Sequence, residues 1–477
     1  MPDHNLILTI LVIAAELAVL ARAILRPNRE PAARLAWVLF IIVAPIAGML
    51  IYLLVGEARL SQGRRRIAAR VDEELPRPPG HDEAHTRLAN GRHEAPFALA
   101  RSINRLDPTV GNRASLAADS DDAIARMCAD ADAATDTVHA CFYIWLADEN
   151  GLKFKDALIR AIARGVKVRV LADALGSRHF IRSLHWRQLR EAGVDAKVAL
   201  PVGNLLWTMI RGRVDLRNHR KAMIVDNSIA WIGSQNLADP EFRIKPRFAP
   251  WVDIMSRWEG PAARHAQFLF VADWMGEGGE DLSDLLTGPE PKPQGDIVAQ
   301  IVGTGPGLRF DAMPSLFDEL IHSARRELVV TTPYFVPDEV LLYAILNAAR
   351  RGVRTVLILP ERIDSRIVAA TCRSYFGDLI HAGVELYLFK PGLLHSKTML
   401  VDGSVGMIGS ANLDRRSFEL NFENNILFAD EAFAGQVAAR QEDYLRQSRR
   451  VTAEDVAAMG LGTRLWSNFM AMMSPLL

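Results

Sequence analysis

Two long apolar stretches lie near the start of the chain, separated by a short polar segment. The first runs from Asn5 to Leu25 and is interrupted only by Glu16 and Arg22; the second, from Leu35 to Val55, contains no charged residue. A helix of about 20 apolar residues is long enough to cross a bilayer core. Residues 1–56 are therefore predicted to form a membrane anchor of two transmembrane helices. Because Glu16 is costly in lipid, an interfacial or re-entrant segment is the alternative for the first stretch.

Arginines flank the second apolar stretch on both sides. Four precede it and five follow it: Arg22, Arg26, Arg29 and Arg34, then Arg59, Arg64, Arg65, Arg66 and Arg70. Positively charged loops favour the cytoplasmic side of a membrane. Because the two clusters lie on opposite sides of the second stretch, they favour opposite orientations. The later cluster leads into the large domain, whose three cysteines show no disulfide or ligand spacing and suit a reducing compartment. A multi-pass protein of the cell membrane with a cytoplasmic catalytic domain is predicted. The later cluster is expected to attract anionic headgroups, with a solvated face as the alternative.

Two proline-rich segments divide the rest of the chain. One includes Pro76–Gly80 and the other is Thr287–Asp296, and such composition is typical of linkers. The predicted organisation is an anchor (1–56), a basic collar and linker (57–112), a first half (113–287), a second half (296–450) and a C-terminal tail (451–477).

The two halves share a hydrophobic pattern. In Ala157–Asp173, and again in Tyr343–Pro360, an amphipathic helix ends near a glycine and leads into a β-branched strand. Internal duplication is the simplest explanation. The predicted fold class is α/β, with two tandem α/β sandwich halves that pack face to face across a pseudo-twofold axis.

The strongest part of the repeat carries candidate chemistry. The first copy reads NHRKAMIVDNSIAWIGSQN and the second LHSKTMLVDGSVGMIGSAN. Corresponding positions are 176 residues apart throughout. The matched residues are His219, Lys221, Asp226, Ser234 and Asn236 in the first copy and His395, Lys397, Asp402, Ser410 and Asn412 in the second.

The spacing of these residues suggests how they are arranged. His219 and Lys221 are two apart on a predicted strand, so both side chains leave the same face. Asp226 and Asp402 complete the catalytic signature, but their odd spacing places them on the other face or in a turn, where they are expected to act as supports. The pseudo-twofold axis would bring both copies into one pocket with two imidazoles, two ammonium groups and the Ser and Asn donors.

Such a pocket suits phosphoryl transfer. One neutral histidine would attack phosphorus and form a phosphohistidine, while the other would protonate the leaving alcohol. The two lysines and the two asparagines would neutralise the phosphate oxygens, so no metal and no cofactor is required. The 56 Lys and Arg residues equal the 56 Asp and Glu residues, which argues against a protein that coats nucleic acid. Nucleic acid is not expected as a partner, although charge alone does not exclude it as a substrate.

The duplicated signature resembles that of the phospholipase D superfamily, and most closely its bacterial cardiolipin synthase branch. Two flanking segments fit as well: Trp251–Asp253 after the first copy and Asn421–Asn424 after the second. In that family an acidic residue at such a place orients the catalytic histidine, which implies this supporting role for Asp253 and Glu423. The resemblance also implies that the first histidine, His219, is the nucleophile.

The resemblance implies that two phosphatidylglycerols condense into cardiolipin with release of glycerol. Phosphatidylglycerol and anionic membrane lipids are the expected partners. The same signature serves phospholipid hydrolysis, nuclease action and phosphatidylserine synthesis elsewhere in the superfamily, so the acceptor stays open, as does the oligomeric state. The segment 200–213 and the tail around Trp466 carry apolar and aromatic residues; each is expected either to contact lipid or to pack against the protein.

Overall fold

The computed structural model describes residues 4–26, 31–57, 60–91, 93–201, 213, 215–306 and 309–473. The segment 202–212, which holds most of the first candidate lipid contact, lies outside the described residues. The anchor contains three helices: α1 (His4–Leu25), α2 (Pro31–Val43) and α3 (Pro45–Val55). Of the helices described, α1 is the one that is long and apolar enough to cross a membrane.

The second apolar stretch is not the uninterrupted helix that was predicted. Ala44 leaves the helical conformation (φ −134°, ψ 71°) because Pro45 follows it, and a residue before proline is disfavoured in the α region. The rings of Trp37 and Tyr52 lie 5.2 Å apart, whereas fifteen residues of continuous helix would separate them by about 22 Å. α3 therefore folds back along α2. Gly48 allows this contact, since a Cβ there would meet Ile41 Cα at 2.8 Å.

A buried carboxylate joins the ends of the anchor helices. Glu57, just after α3, accepts hydrogen bonds from Arg22 Nε (2.6 Å), Arg26 Nη1 (3.1 Å) and the Tyr52 hydroxyl (3.1 Å). The C-terminal ends of α1 and α3 therefore lie side by side, and Arg34 at the start of α2 also binds the Arg26 carbonyl.

The region predicted as collar and linker forms helices of its own: α4 (Gln62–Glu74), α5 (Asp82–Gly91) and α6 (Glu94–Asn104). Leu88 of α5 and Phe97 of α6 are buried in the same cluster as Leu316 and Leu320 of the second half. These helices are thus part of the folded domain, and the proline-rich segment lies between α4 and α5.

The first half contains nine strands and six helices among the described residues. They are β1 (Thr109–Leu116), α7 (Ser120–Ala133), β2 (Thr137–Phe142), α8 (Glu149–Ala163), β3 (Lys167–Asp173), α9 (Arg178–Ile181), α10 (Leu184–Glu191), β4 (Asp195–Ala199), β5 (Arg217–Asn218), β6 (Lys221–Val225), β7 (Ile229–Gly233), β8 (Trp251–Val252), β9 (Met255–Glu259), α11 (Pro261–Gly276) and α12 (Asp284–Thr287).

The second half and the tail follow the same plan. Their elements are β10 (Ile297–Thr304), α13 (Ala312–Ser323), β11 (Glu327–Thr331), β12 (Phe335–Val336), α14 (Glu339–Arg350), β13 (Arg354–Pro360), α15 (Arg366–Ser374), α16 (Phe376–His381), β14 (Glu385–Phe389), β15 (Leu393–Leu394), β16 (Thr398–Val401), β17 (Val405–Gly409), β18 (Leu413–Asp414), α17 (Arg415–Glu419), β19 (Asn421–Ala429), α18 (Glu431–Arg446), β20 (Ser448–Arg450), α19 (Ala453–Ala457) and α20 (Leu461–Met473).

The sheet displays the predicted duplication directly. From one edge to the centre the first half runs β4-β3-β2-β6-β7-β9-β1, and the second half runs β14-β13-β11-β16-β17-β19-β10. The central strands β1 and β10 pair antiparallel, with Thr109 opposite Ala299. The halves are therefore joined edge to edge in one continuous sheet, and the expected face-to-face packing of two sandwiches is wrong. Duplication is confirmed, because each strand in one of these two orders has a counterpart at the same position in the other. The edge strand β20, which lies beyond β14, has no counterpart.

The C-terminal helix α20 has two different faces. Met470 is buried, whereas Leu465, Trp466 and Phe469 are exposed. The tail was expected either to contact lipid or to pack against the protein. One side of α20 packs against the protein, and the other side is exposed.

Candidate active site

The two signature histidines occupy equivalent positions at the junction of the halves. His219 lies between β5 and β6, and its backbone N–H donates to the Phe422 carbonyl at 2.9 Å. His395 follows β15, and its N–H donates to the Val252 carbonyl at 2.8 Å. Each histidine is therefore fixed by a strand from the opposite half, as β5 pairs with β19 and β15 pairs with β8.

Each imidazole is paired with a carboxylate from the other half. His219 Nδ1 lies 2.9 Å from Glu423 Oε2, and His395 Nδ1 lies 2.6 Å from Asp253 Oδ1. Because an ionised carboxylate only accepts hydrogen bonds, Nδ1 is the protonated nitrogen in each pair. Nε2 is thereby left available for chemistry in both rings.

The signature serines support these carboxylates from behind. Ser234 Oγ donates to Asp253 Oδ1 at 2.5 Å, and Ser410 Oγ donates to Glu423 Oε2 at 2.5 Å. Both serines are fully buried. In this structure they hold the carboxylates, and the expectation that Ser234 and Ser410 bind substrate stays a prediction.

The signature lysines lie directly beneath the histidines. Lys221 Nζ donates to the His219 carbonyl at 2.6 Å, and Lys397 Nζ donates to the His395 carbonyl at 2.5 Å. Both are buried, and Lys221 Nζ also lies 5.2 Å from the centre of the Tyr143 ring. Each lysine amino group is thus held against the backbone of the histidine two residues before it.

Asp226 and Asp402 lie away from the histidines, at the turns that end β6 and β16. Asp226 accepts from the backbone N–H groups of residues 135, 136 and 137, and Asp402 from those of residues 325, 326 and 327. Both adopt positive φ, 47° and 51°, as the tight hairpin requires. Their place fits the supporting role that their spacing indicates, and the grouping of Asp226 and Asp402 with the catalytic residues stays a prediction.

One cavity of about 370 Å³ contains both histidines. Asn236 and Asn412 line it; Asn236 Oδ1 accepts from the Ile144 N–H, so the donors of this side chain are its amide N–H groups. Three arginines also line the cavity: Arg178, Arg217 and Arg416. The cavity therefore offers cationic and amide donors on several sides.

Several cavity residues were not predicted as site residues. Tyr143 packs edge-on against His219 with ring centres 4.9 Å apart, and Trp251 packs against His395 at 4.7 Å. Tyr143 follows β2, and Tyr334, which also lines the cavity, follows β11, the equivalent strand of the second half. Repeated tyrosines after β2 and β11 are the signal that could have identified them. The buried carboxyl of Asp414 lines the cavity as well, and burial raises its pKa.

Burial and charge control the protonation of the site. Burial lowers the pKa of His219 to about 4, despite the opposing charge of Glu423. Burial and the charge of Lys397 lower the pKa of His395. Burial lowers the pKa of Lys221 to about 8 and that of Lys397 to about 7. Burial opposes the ionisation of Asp253 and Glu423, but their histidine partners outweigh it and lower both pKa values.

A duplicated α/β chain whose halves share one cavity with two carboxylate-paired histidines is a phospholipase D-like protein. The family model described as a cardiolipin synthase, phospholipase D-like domain, matches residues 127–246 and 317–444, once in each half. A second model, described as a phospholipase D-nuclease N-terminal region, matches residues 17–57. The chain belongs to the cardiolipin synthase family of phospholipase D-like proteins.

Curated relatives match almost the entire chain. Cardiolipin synthase A of Erwinia tasmaniensis is 36% identical over 463 residues, and the match covers 95% of each chain. Cardiolipin synthase A of Pectobacterium carotovorum is 35% identical with the same coverage. Among solved structures, the phosphatidylserine synthase of Haemophilus influenzae superposes with a TM-score of 0.56 at 14% identity, covering 76% of this chain and 92% of its own. That structural similarity concerns the fold.

Proposed function

We propose that this protein is a membrane-bound cardiolipin synthase, which transfers a phosphatidyl group from one phosphatidylglycerol to another. Full-length similarity to cardiolipin synthase A supports the substrate and the product. The observation that carries the mechanism is the pair of histidines in one cavity, each held through Nδ1 by a carboxylate.

In the first step Nε2 of neutral His219 attacks the phosphorus of phosphatidylglycerol. The bond from phosphorus to the headgroup glycerol oxygen breaks, and protonated His395 gives its proton to that oxygen. Glycerol leaves, and the phosphatidyl group remains bonded to His219. Each of the two phosphatidylglycerols carries one charged group, its singly ionised phosphodiester.

In the second step the second phosphatidylglycerol enters. His395 takes the proton from its terminal headgroup hydroxyl as that oxygen attacks phosphorus, and the bond from phosphorus to His219 Nε2 breaks. Cardiolipin is released, His219 is neutral again and His395 is protonated for the next cycle. Acid and base are thus one residue in alternating roles.

The buried charges fit this sequence. Lys221 and Lys397 lie beneath the two histidines, where their positive charge stabilises the extra negative charge of the transition state. The low pKa of His219 keeps this imidazole neutral, as a nucleophile must be. A bound phosphate anion raises the pKa of His395, because a nearby negative charge favours imidazolium. Substrate binding therefore favours the protonated form of His395, which acts as the acid.

The anchor is proposed to cross the membrane once. In this arrangement α1 spans the bilayer, while α2 and α3 form a re-entrant hairpin, because each is about 20 Å long or less and a bilayer core is about 30 Å thick. The bond between Arg22 and Glu57 supports this arrangement, since it brings the ends of α1 and α3 together. Both arginine clusters then lie on one side, and the positive-inside rule favours the cytoplasm for the catalytic domain.

The activity is tested with membranes that contain the full-length protein and phosphatidylglycerol labelled in its acyl chains and headgroup. Cardiolipin and free glycerol in equal amounts are expected. Phosphatidic acid would instead indicate hydrolysis, and phosphatidylserine formed on addition of serine would indicate a different acceptor. Plasmid nicking is assayed in parallel. A His219→Ala, His395→Ala double variant, prepared in the same way, controls for contaminating host enzymes.

A further inference from the structure

A second cavity, here named the collar cavity, lies on the opposite face of the extended segment Arg217–Lys221, which includes His219. The apolar part of its walls comes from α4 and the residue two before it, from α11 and from β19: Leu60, Ala68, Phe268, Leu269, Ala272 and Phe422. Its volume is about 290 Å³. Arg217 and His219 face the catalytic cavity, whereas Asn218 and Arg220 face the collar cavity, as the alternation of side chains along an extended segment requires.

The floor of the collar cavity holds Asn218, Arg220 and Asp273, which are hydrogen-bonded to one another and to their neighbours. Arg220 Nη1 donates to Asp273 Oδ1 at 2.5 Å, and Asn218 Nδ2 donates to Asp273 Oδ2 at 2.8 Å. Arg220 Nε donates to the Glu423 carbonyl at 3.1 Å. The charges of Arg220 and Asp273 are therefore paired with each other, and the apolar walls determine what fits in the interior.

The duplicated half provides an internal comparison. Leu394 and Ser396 are the counterparts of Asn218 and Arg220, 176 residues later. Behind His395 the same space is filled: Leu394 packs in a cluster with Tyr444, and the Tyr444 hydroxyl bonds Ser396 Oγ at 2.8 Å. The same fold can thus close this space, and the first half leaves it open.

The edge of the collar cavity indicates what enters. α4 begins seven residues after α3 ends, so the cavity lies next to the membrane anchor. Two arginines of α4 line its edge. Arg64 is paired with Glu277 at 2.7 Å, whereas the exposed side chain of Arg65 has no ion pair within the part of the chain that the structure describes.

We propose that the collar cavity binds one acyl chain of an anionic phospholipid, whose phosphate lies against Arg65. Apolar walls suit the chain, and the unpaired guanidinium at the edge suits the phosphate. This lipid is not the reacting one, because the segment Arg217–Lys221 separates the collar cavity from the catalytic cavity. It would hold α4, and with it the catalytic cavity, against the bilayer surface.

The test is photo-cross-linking of the full-length protein in vesicles that contain phosphatidylglycerol with a diazirine in the middle of one acyl chain. Cross-linked peptides are located by mass spectrometry, so the readout does not depend on turnover. Adducts are expected in the Phe268–Ala272 segment of α11. Adducts confined to the anchor helices and the catalytic cavity would overturn the proposal.

Three variants sharpen this test. Ala272→Trp should fill the collar cavity and lower the α11 adducts at least fivefold while adducts on α1 persist. Arg65→Glu should lower them as well, whereas Arg66→Glu, a neighbouring exposed arginine that does not line the cavity, should not. Because the charge variants add no bulk, they remain informative if the tryptophan variant fails to fold. Equal α11 labelling by a phosphatidylcholine probe, or equal losses in both charge variants, would refute an anionic ligand bound at Arg65.

Discussion

Nδ1 of His219, in the first half of the chain, lies 2.9 Å from Oε2 of Glu423, in the second. The reciprocal pair, His395 and Asp253, is 2.6 Å apart. Neither half contains a histidine together with the carboxylate that orients it. Duplication has thus produced one shared site in which each half completes the other.

The crossed pairing predicts the effect of removing either carboxylate. Glu423→Gln should reduce formation of the phosphatidyl adduct at His219, because the amide no longer fixes the Nδ1–H tautomer. A loss of about 10²- to 10⁴-fold in kcat is expected, as for other carboxylate–histidine pairs. Quenched-flow measurement of the adduct checks the step that is affected.

Asp253→Asn serves as the matched variant, since it removes the carboxylate that pairs with His395 and leaves the pair of His219 and Glu423 in place. It should leave adduct formation from a donor with a good leaving group largely intact while turnover falls. If Glu423→Gln spared the adduct and Asp253→Asn abolished it, the pairing would not govern the chemistry in the way the geometry indicates.

Sequence analysis could identify the site because the chemistry is local in each copy. The His and Lys spacing predicts that both side chains lie together, and the position of Asp226 near a turn predicts its supporting role. The role of Ser234 could not be predicted, since Gly-Ser-x-Asn does not reveal that the serine hydroxyl points at a carboxylate 19 residues away.

The sequence was less informative about how segments meet. α2 has 13 residues and α3 has 11, and both are apolar. Along the sequence, two such helices in succession have the same hydropathy as one spanning helix, and only Pro45 indicates the break. Edge-to-edge joining of the halves depends on the pairing of β1 with β10. That contact joins strands far apart in the chain, which no local pattern encodes.

Activity is expected to persist in EDTA. The charge that a divalent cation would neutralise at phosphorus is provided by Lys221 and Lys397, which lie beneath the histidines. Initial rates are compared with and without chelator at constant ionic strength. Loss of activity that Mg²⁺ restores would contradict this prediction, whereas the lysine variants Lys221→Met and Lys397→Met should be inactive with or without added metal.

The buried pKa values predict a pH profile. His219, with a pKa of about 4, is neutral above that value, so an acid limb is expected near pH 4. The general acid His395, whose pKa is lowered, loses its proton as the pH rises, and Lys397 and Lys221 lose theirs through about 7 and about 8, so kcat/KM should fall toward alkaline pH. Lys397→Arg should move the alkaline limb upward, because a guanidinium keeps its proton. An unmoved limb would show that lysine ionisation does not control the rate.

The single-span anchor predicts which residues share a side of the membrane. Cysteines introduced at Ala32, at the start of α2, and at Gly63, in α4, should both resist a membrane-impermeant maleimide in intact cells and react after permeabilisation. Two full spans would place Ala32 on the outer side, where it would react in intact cells. The native cysteines Cys141 and Cys372 are buried, whereas Cys128 is partly exposed, so the cysteines are introduced into a Cys128→Ala background.

The last prediction assigns the two histidines, with His219 as nucleophile and His395 as general acid. Glu423 accepts hydrogen bonds from Ser410 and Asn421 besides His219, whereas within the described residues Asp253 accepts from Ser234 alone besides His395. Asp253 therefore keeps more negative charge for its imidazole, which stabilises the protonated form that an acid needs. His395→Ala should still form a phosphatidyl adduct from a donor whose leaving group needs no proton, whereas His219→Ala should form none. The acid-labile phospho-linkage is located by mass spectrometry after rapid quenching. An adduct on His395 in the His219→Ala protein would reverse the assignment, and an adduct on Ser234 or Ser410 would refute the phosphohistidine mechanism.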